Sequence, residues 1–235
     1  MLVAIIGVSG KLGKCVKDKV SKNHNVAGID KVDAKFVSLN ELSVCPEVII
    51  DTSTHQNSIK SVEYALKNGI PMVIACTGHS DEELAYIRDS SRFIPIFLAY
   101  NMAYGVQIFK EAAEFIGSRF DGDAALHEIH HKYKKDAPSG TAKEIESLFN
   151  SMGKPLQVTS ARGGTVVGTH ELSFYGDSES ITLIHTAQSR DAFASGIEKA
   201  AEFIVTKQSG LYNMKDLVCH APTNELWFYL TTKSC

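Results

Sequence analysis

Leu2-Val3-Ala4-Ile5-Ile6-Gly7-Val8-Ser9-Gly10-Lys11-Leu12-Gly13 is the stretch that decides the fold of the N-terminal half. Leu2–Ile6 is a short, continuous apolar run, the mark of a strand buried on both faces, as in a parallel sheet. Three glycines follow at G-x-x-G-x-x-G spacing, and Leu12, Cys15, Val16 and Val20 then recur at helical intervals across residues 11–21. A strand, a glycine turn and a helix start, in that order, aim backbone N–H groups at a site suited to a pyrophosphate. Ser9 stands where the common dinucleotide motif has a glycine, and a glycine triplet by itself also fits a turn with no ligand. Context strengthens the reading. The next strand, residues 25–29, runs into Asp30, where a carboxylate can hold the ribose hydroxyls of a dinucleotide. Asp30 favours a free 2′-hydroxyl and hence NADH. Lys31 suits a 2′-phosphate and hence NADPH, or is simply a solvated loop lysine. The pair predicts weak discrimination between the two coenzymes. No Gly-Lys-Ser/Thr follows the loop, which excludes a P-loop.

Strand and helix alternate up to residue 99. Residues 46–50 read as a strand ending at Asp51, and 58–68 as an amphipathic helix closed by Gly69. Residues 72–75 form a strand, 81–91 a helix capped by Ser80 or Asp81, and 93–99 a further strand. Such alternation means βαβ units and a parallel sheet covered by helices. The pattern changes near Tyr100–Met102. A long helix over 105–120, a strand over 124–131, a polar loop at 132–138 and a helix over 141–152 come next. Strands at 157–162, 168–175 and 180–187 precede a last helix at 193–206. The fold class is therefore α/β. A Rossmann-like parallel-sheet domain spans 1–101, with 212–235 returning to it, and an α+β substrate domain spans 102–211. The stretch Cys219–Cys235, with Trp227, Phe228 and Tyr229, is expected to form a strand or an interface patch.

Composition narrows the function. The chain has 235 residues, 44% apolar and 22% charged, which suits a packed core and excludes a disordered chain. A net charge of −3 gives no overall attraction to nucleic acid. No apolar run approaches the ~20 residues of a membrane span, and the N-terminus lacks a basic leader and a cleavage site. The five cysteines are widely spaced and contain no CxxC pair, so reduced thiols in a cytoplasmic protein are expected, with neither a disulfide frame nor a metal site.

The second chemical signal is His127-Glu128-Ile129-His130-His131-Lys132-Tyr133-Lys134-Lys135-Asp136-Ala137-Pro138-Ser139-Gly140-Thr141. On a strand or on a helix, His130 and Lys134 share a face and can converge on one anion. Ser139-Gly140-Thr141 introduces a helix, and Thr141 with Glu144 reads as a capping box, so backbone N–H groups there can cradle a carboxylate. A proton donor of near-neutral pKa, a fixed cation and an anion cradle suit a small, multiply anionic substrate. A solvated basic patch remains an alternative. A metal site is disfavoured, because neither the H-E-x-x-H order nor a nearby cysteine is present.

The segment from His130 to Ala142 closely resembles the signature of the 4-hydroxy-tetrahydrodipicolinate reductase family. Asp51-Thr52-Ser53, Thr77-Gly78, Asn101 with Gly105, Arg162-Gly163-Gly164, Gly168-Thr169-His170, and the run from His185 to Arg190 with Phe193 and Gly196 also look like the family. The resemblance covers about residues 1–217. It implies a homotetrameric reductase that uses NADH or NADPH on a cyclic dicarboxylate in the diaminopimelate route to lysine. It implies catalysis by His130 and Lys134, and substrate binding by His131, Ser139, Gly140 and Thr141. The coenzyme would be held by Gly7, Val8, Ser9, Gly10, Lys11, Leu12, Asp30 and Lys31. Ala75, Cys76, Thr77, Ala99, Tyr100, Asn101 and Met102 would line its nicotinamide side. The chain departs from the family in three places. Ala75-Cys76-Thr77 replaces Gly-Thr-Thr, Lys11 replaces an arginine, and Met102 replaces a phenylalanine. Cys76 is thereby either an oxidation-sensitive thiol or an inert buried one. Two other readings stay open: a different two-domain NAD(P)-dependent reductase of a small dicarboxylate, and a non-catalytic NAD(P)-binding regulator.

Overall fold

The structure, a computed structural model, describes residues 1–219. The tail beyond, which held most of the expectation for 212–235, lies outside the described residues. In chain order the elements are β1 (Leu2–Ile6), α1 (Lys11–Val20), β2 (Asn25–Ile29), β3 (Val48–Asp51), α2 (His55–Asn68), β4 (Met72–Ile74), α3 (Asp81–Ser90) and β5 (Pro95–Leu98). They continue with α4 (Tyr104–Gly117), β6 (Asp123–His130), α5 (Gly140–Ser151), β7 (Gln157–Arg162), β8 (Gly168–Tyr175), β9 (Ser180–Ala187), α6 (Asp191–Ile204), β10 (Gly210–Tyr212) and α7 (Met214–Cys219).

Two compact units result, Met1–Tyr100 with the described residues from Ile197 onward, and Asn101–Gly196. In the first, six parallel strands lie in the order β10-β5-β4-β3-β1-β2. Val3–Ile5, Val48–Ile50 and Met72–Ile74 have no exposed surface, which explains their unbroken apolar sequence. Neighbours β2 and β3 flank β1 on opposite sides, so the connections diverge there and open a crevice at the C-terminal ends of β1 and β3. Ser80 and Glu83 cap α3 reciprocally, and Gly69 ends α2 in the left-handed conformation.

The second unit ends at Gly196, not at 211. Residues after it belong with the first unit because β10 pairs with β5 and Phe203 packs edge-on against both Phe97 and Tyr212. Strands β7-β6-β8-β9 form the unit's own sheet. β6 and β7 are parallel, joined across α5, and β6, β8 and β9 are antiparallel. A βαβ crossover thus sits inside what the sequence pattern presents as hairpins with separate helices. One face of this sheet packs Leu126, Leu172 and Phe174 against Phe109 of α4 and Ile145 and Phe149 of α5. The opposite face carries Thr169, Glu171, Thr182 and Ile184, the last 63% exposed.

Glycine positions separate steric from conformational demands. A Cβ on Gly13 would lie 2.1 Å from the Gly7 carbonyl oxygen, whereas one on Gly69 would meet nothing within 4 Å. Gly69→Ala therefore carries only a left-handed backbone cost, about 1 kcal/mol. Gly13→Ala must push α1 off the loop and is expected to cost at least twice that and to weaken coenzyme binding. Urea unfolding and coenzyme titration of both variants check this. Equal losses would contradict the packing.

Candidate active site

The first unit's crevice is built by the glycine loop. Gly7 has φ +79°, its N–H donates to the Ile29 carbonyl at 3.0 Å, and a Cβ there would come within 2.9 Å of the Ser53 backbone. Gly10 caps α1 without a side chain, and no acidic residue occupies the first turn, so the helix start is open to an anion. Lys11 is exposed there, Leu12 is half-buried, and Val8 is buried under Gly28. Asp30 sits where expected. Its Oδ2 accepts the Ser9 N–H at 3.0 Å and its Oδ1 accepts the Lys31 N–H at 2.7 Å. Each carboxylate oxygen keeps a lone pair for a ribose hydroxyl. The Ser9 hydroxyl donates to the Val32 carbonyl, so the serine that replaces the usual glycine ties this loop to the one that follows β2. A cavity of about 370 Å³ opens against Gly7, Asp30, Lys31, Ser53 and Tyr64. A turn that admits no side chain, a bare helix start and an acid at the ribose position together fit an adenine dinucleotide.

The loop after β4 is less open than the sequence implies. Ala75 and Cys76 are buried, while Thr77 is exposed. The Cys76 Sγ lies 2.8 Å from Ser58 Oγ, which donates to the buried Asp51 carboxylate at 2.8 Å. Burial, with the Asp51 charge second, pushes the Cys76 thiol up to about 12. Of its two readings, inert burial is the one the structure favours. Ala99 is half-buried and Tyr100 exposed, with the His79 ring stacked 6.4 Å from Tyr100. Nothing in the sequence pattern singles out His79.

Asn101 and Met102 belong to the second unit. Met102 is 2% exposed, so its side chain is core. The Asn101 Nδ2 donates to Thr141 Oγ1 at 3.0 Å and its Oδ1 accepts the Ala103 N–H at 3.0 Å. Asn101 thus braces the start of α5.

The second unit's functional groups gather where β6 ends and α5 begins. Ala124, Leu126, Glu128 and His130 share one face of β6, and the first two are core. Glu128 follows them into the interior and is fully buried. One of its oxygens accepts the Arg162 Nη2–H at 2.8 Å and the Ser139 N–H at 3.2 Å, and the other is hydrogen-bonded to His130 Nδ1. Arg162 also donates to the Asp136 carbonyl at 2.6 Å, which ties down the loop. Burial alone would raise Glu128. The hydrogen bonds from Arg162, Ser160 and His130 outweigh it and bring the carboxyl to about 2.

Burial lowers the pKa of His130 against the pull of Glu128, and the positive charges of Lys134 and Arg162 lower it further. This favours the neutral ring in the free protein. Beside an ionised carboxylate, which only accepts, its proton sits on Nδ1. The His170 ring stands edge-on to it at 5.3 Å, and burial first, then the charges of His130 and His185, brings His170 down to about 4. A Cβ on Gly168 would come 2.9 Å from His130 Nε2, so that glycine leaves room for the ring. Lys134 lies in the loop after β6, paired with Asp136 at 2.9 Å, and His131 is half-buried. Ser139, not Thr141, is the N-cap of α5: its Oγ accepts the Ala142 N–H at 3.3 Å. Thr141 instead falls inside the first turn beside Gly140, so the expected box with Glu144 does not form. Glu128, Arg162 and His170 stand within segments quoted from the sequence, but the motifs give them no role.

Comparison with known proteins agrees with this architecture. Residues 1–102 match the model for the dihydrodipicolinate reductase N-terminus and residues 102–218 the model for its C-terminus. The chain belongs to the dihydrodipicolinate reductase family. It is 38% identical to the 4-hydroxy-tetrahydrodipicolinate reductase of Caldanaerobacter subterraneus subsp. tengcongensis, over 93% of this chain and 99% of that protein. It is 35% identical to the enzyme of the same name from Rickettsia bellii, over 91% and 93%. The dipicolinate-bound dihydrodipicolinate reductase from Paenisporosarcina sp. TG-14 shares the fold, with TM-score 0.79 at 23% identity over 91% of this chain and 97% of that one. Family members are NAD(P)-dependent oxidoreductases, consistent with the first unit's crevice. Among the described residues, no helix is long and apolar enough to cross a membrane.

With its thiol held near 12, Cys76 is about 10⁻⁴ ionised at pH 8 and is expected to resist iodoacetamide in the native protein, while exposed Cys45 reacts. Peptide mass mapping after a timed reaction checks this. Alkylation of Cys76 at the rate of Cys45 would contradict its place in the Asp51–Ser58 network.

Proposed function

We propose that the cluster between β6 and α5 receives the cyclic dicarboxylate substrate, with His130 as proton donor and Lys134 as the fixed cation. The activity is the family's: NAD(P)H-dependent reduction of 4-hydroxy-tetrahydrodipicolinate to tetrahydrodipicolinate, a step toward diaminopimelate and lysine. The observation that carries the site assignment is that one imidazole, oriented by a buried carboxylate, stands in the field of Lys134 beside an open helix start.

The chemistry follows from that arrangement. The N–H groups at Gly140 and Thr141, with His131 and the Ser139 cap, hold one carboxylate, and Lys134 meets the other. A dianion here offsets the local positive charge that depresses His130. The imidazole then takes up a proton that the free site disfavours. Bound NAD(P)H would supply the hydride needed at C4 of the ring once water has left. His130 gives its proton to the adjacent carbon, and Lys134 stabilises the charge that develops. On the coenzyme side, residues 7–12 with Gly13 hold the pyrophosphate, and Asp30 with Lys31 accepts either ribose. Thr77, Ala99 and Tyr100 offer surface to the nicotinamide.

A homotetramer in the cytoplasm completes this reading. Its support is the second unit's sheet, one face of which shows the partly apolar surface of Ile184 and Tyr175.

A coupled assay, with substrate generated by dihydrodipicolinate synthase and either coenzyme, tests the function. Oxidation of both NADH and NADPH is expected, and His130→Gln and Lys134→Met should each lower turnover by ~10²–10⁴. Coenzyme binding without oxidation would favour the regulator. Variants with unchanged turnover and Michaelis constant would remove the site assignment.

A further inference from the structure

We propose that Glu128 and Arg162 form a buried positioning pair that sets the tautomer of His130 and thereby decides which ring nitrogen faces the substrate. The inference rests on the assignment of His130 as proton donor and deepens it. Glu128 links three elements. It holds the His130 ring on its own strand, it accepts the N–H of the Ser139 cap on α5, and it is anchored by Arg162 from β7. It has no exposed surface, so its orientation is fixed by those donors. With Nδ1 spent on the carboxylate, only Nε2 of His130 remains for chemistry, and that nitrogen lies on the side kept clear by Gly168.

The donor arrangement dictates what an isosteric change does. Arg162 and Ser139 both donate to one oxygen of Glu128. In Glu128→Gln that position must be the amide oxygen, so the amide nitrogen faces His130. An amide N–H donates, so His130 Nδ1 must accept and the ring proton moves to Nε2. The wrong nitrogen then carries the lone pair. An analogous carboxylate-to-amide change beside a catalytic imidazole is known to cost about 10⁴ in turnover.

The pair also tunes His130 in opposite directions. Facing the ring are Glu128 on β6, Lys134 with its partner Asp136 in the following loop, Arg162 on β7, and His170 on β8 with His185 beyond it on β9. Of these, Glu128 raises His130, while Arg162 and Lys134 lower it. Removing the anion should shift the alkaline limb of the pH profile down, and removing the guanidinium should shift it up. General loss of structure cannot produce shifts of opposite sign.

The test compares Glu128→Gln, Arg162→Met and His130→Gln in the full chain. It uses the pH dependence of kcat/KM and long-range ¹H–¹⁵N spectra of the histidine rings. For Glu128→Gln we expect kcat to fall ~10²-fold or more with KM within about threefold, and the His130 proton to move from Nδ1 to Nε2. Its alkaline limb should fall by about one pH unit, and that of Arg162→Met should rise. The limb in Arg162→Met is read even if Glu128→Gln does not fold. An unchanged tautomer in Glu128→Gln, or limbs that do not separate in opposite directions, would overturn the pairing while leaving His130 in place, provided His130→Gln is impaired. A fully active His130→Gln would overturn both.

Discussion

A single buried carboxylate organises the second unit. Glu128 has no exposed surface, yet three groups from three elements point hydrogens at it. Burying an unpaired carboxylate is costly, and the cost is tolerable only when cation and donors are in place together. The position of β7, the start of α5 and the orientation of His130 are therefore coupled. Because the folded carboxyl titrates near 2, below the usual carboxylate range, its contribution to stability is present above about pH 4.5 and is lost as pH falls toward 2.

On the proposed reading, the same coupling lets one short segment serve both binding and proton transfer. Fixing Ser139 places the first turn of α5, and Asn101 braces Thr141 from another direction. Arg162 adds a hydrogen bond to the Asp136 carbonyl and so limits the loop that carries Lys134. The result is a hydrogen-bonded cluster in which Lys134 and Arg162 set a positive bias around His130. In the proposed mechanism, a His130 whose pKa is lowered in the free protein becomes a useful acid when a dianion arrives, which would tie protonation to substrate binding.

Most of the first unit was legible from the chain because its strands are buried on both faces. Ile5, Ile49 and Val73 leave no doubt about their environment. β10 was missed because three residues, two half-buried and one exposed, carry no periodic signal. The parallel pairing of β6 with β7 was readable in principle, since a strand, a helix and a strand follow in order, but the adjoining hairpin strands masked it. The glycine loop, Asp30 and the His130–Thr141 segment are local in sequence and so could be singled out there. Glu128 was visible as a charged residue on the apolar face of β6. Its meaning depends on Arg162, which is brought beside it only when β7 pairs with β6. The cap was placed two residues late because both Ser139 and Thr141 satisfy the same local rule, and only the buried contact between Ser139 and Glu128 chooses between them.

The central claim is that the ordered groups around Glu128 form the dicarboxylate site. Titrating ¹⁵N-labelled protein with pyridine-2,6-dicarboxylate, a planar dianion of the substrate's shape, tests it most directly. The account predicts saturable shifts at the Gly140, Thr141 and Ala142 amides and at the His130 ring, with the latter moving toward the protonated form. Shifts confined to other residues, with these four unchanged at saturation, would contradict it.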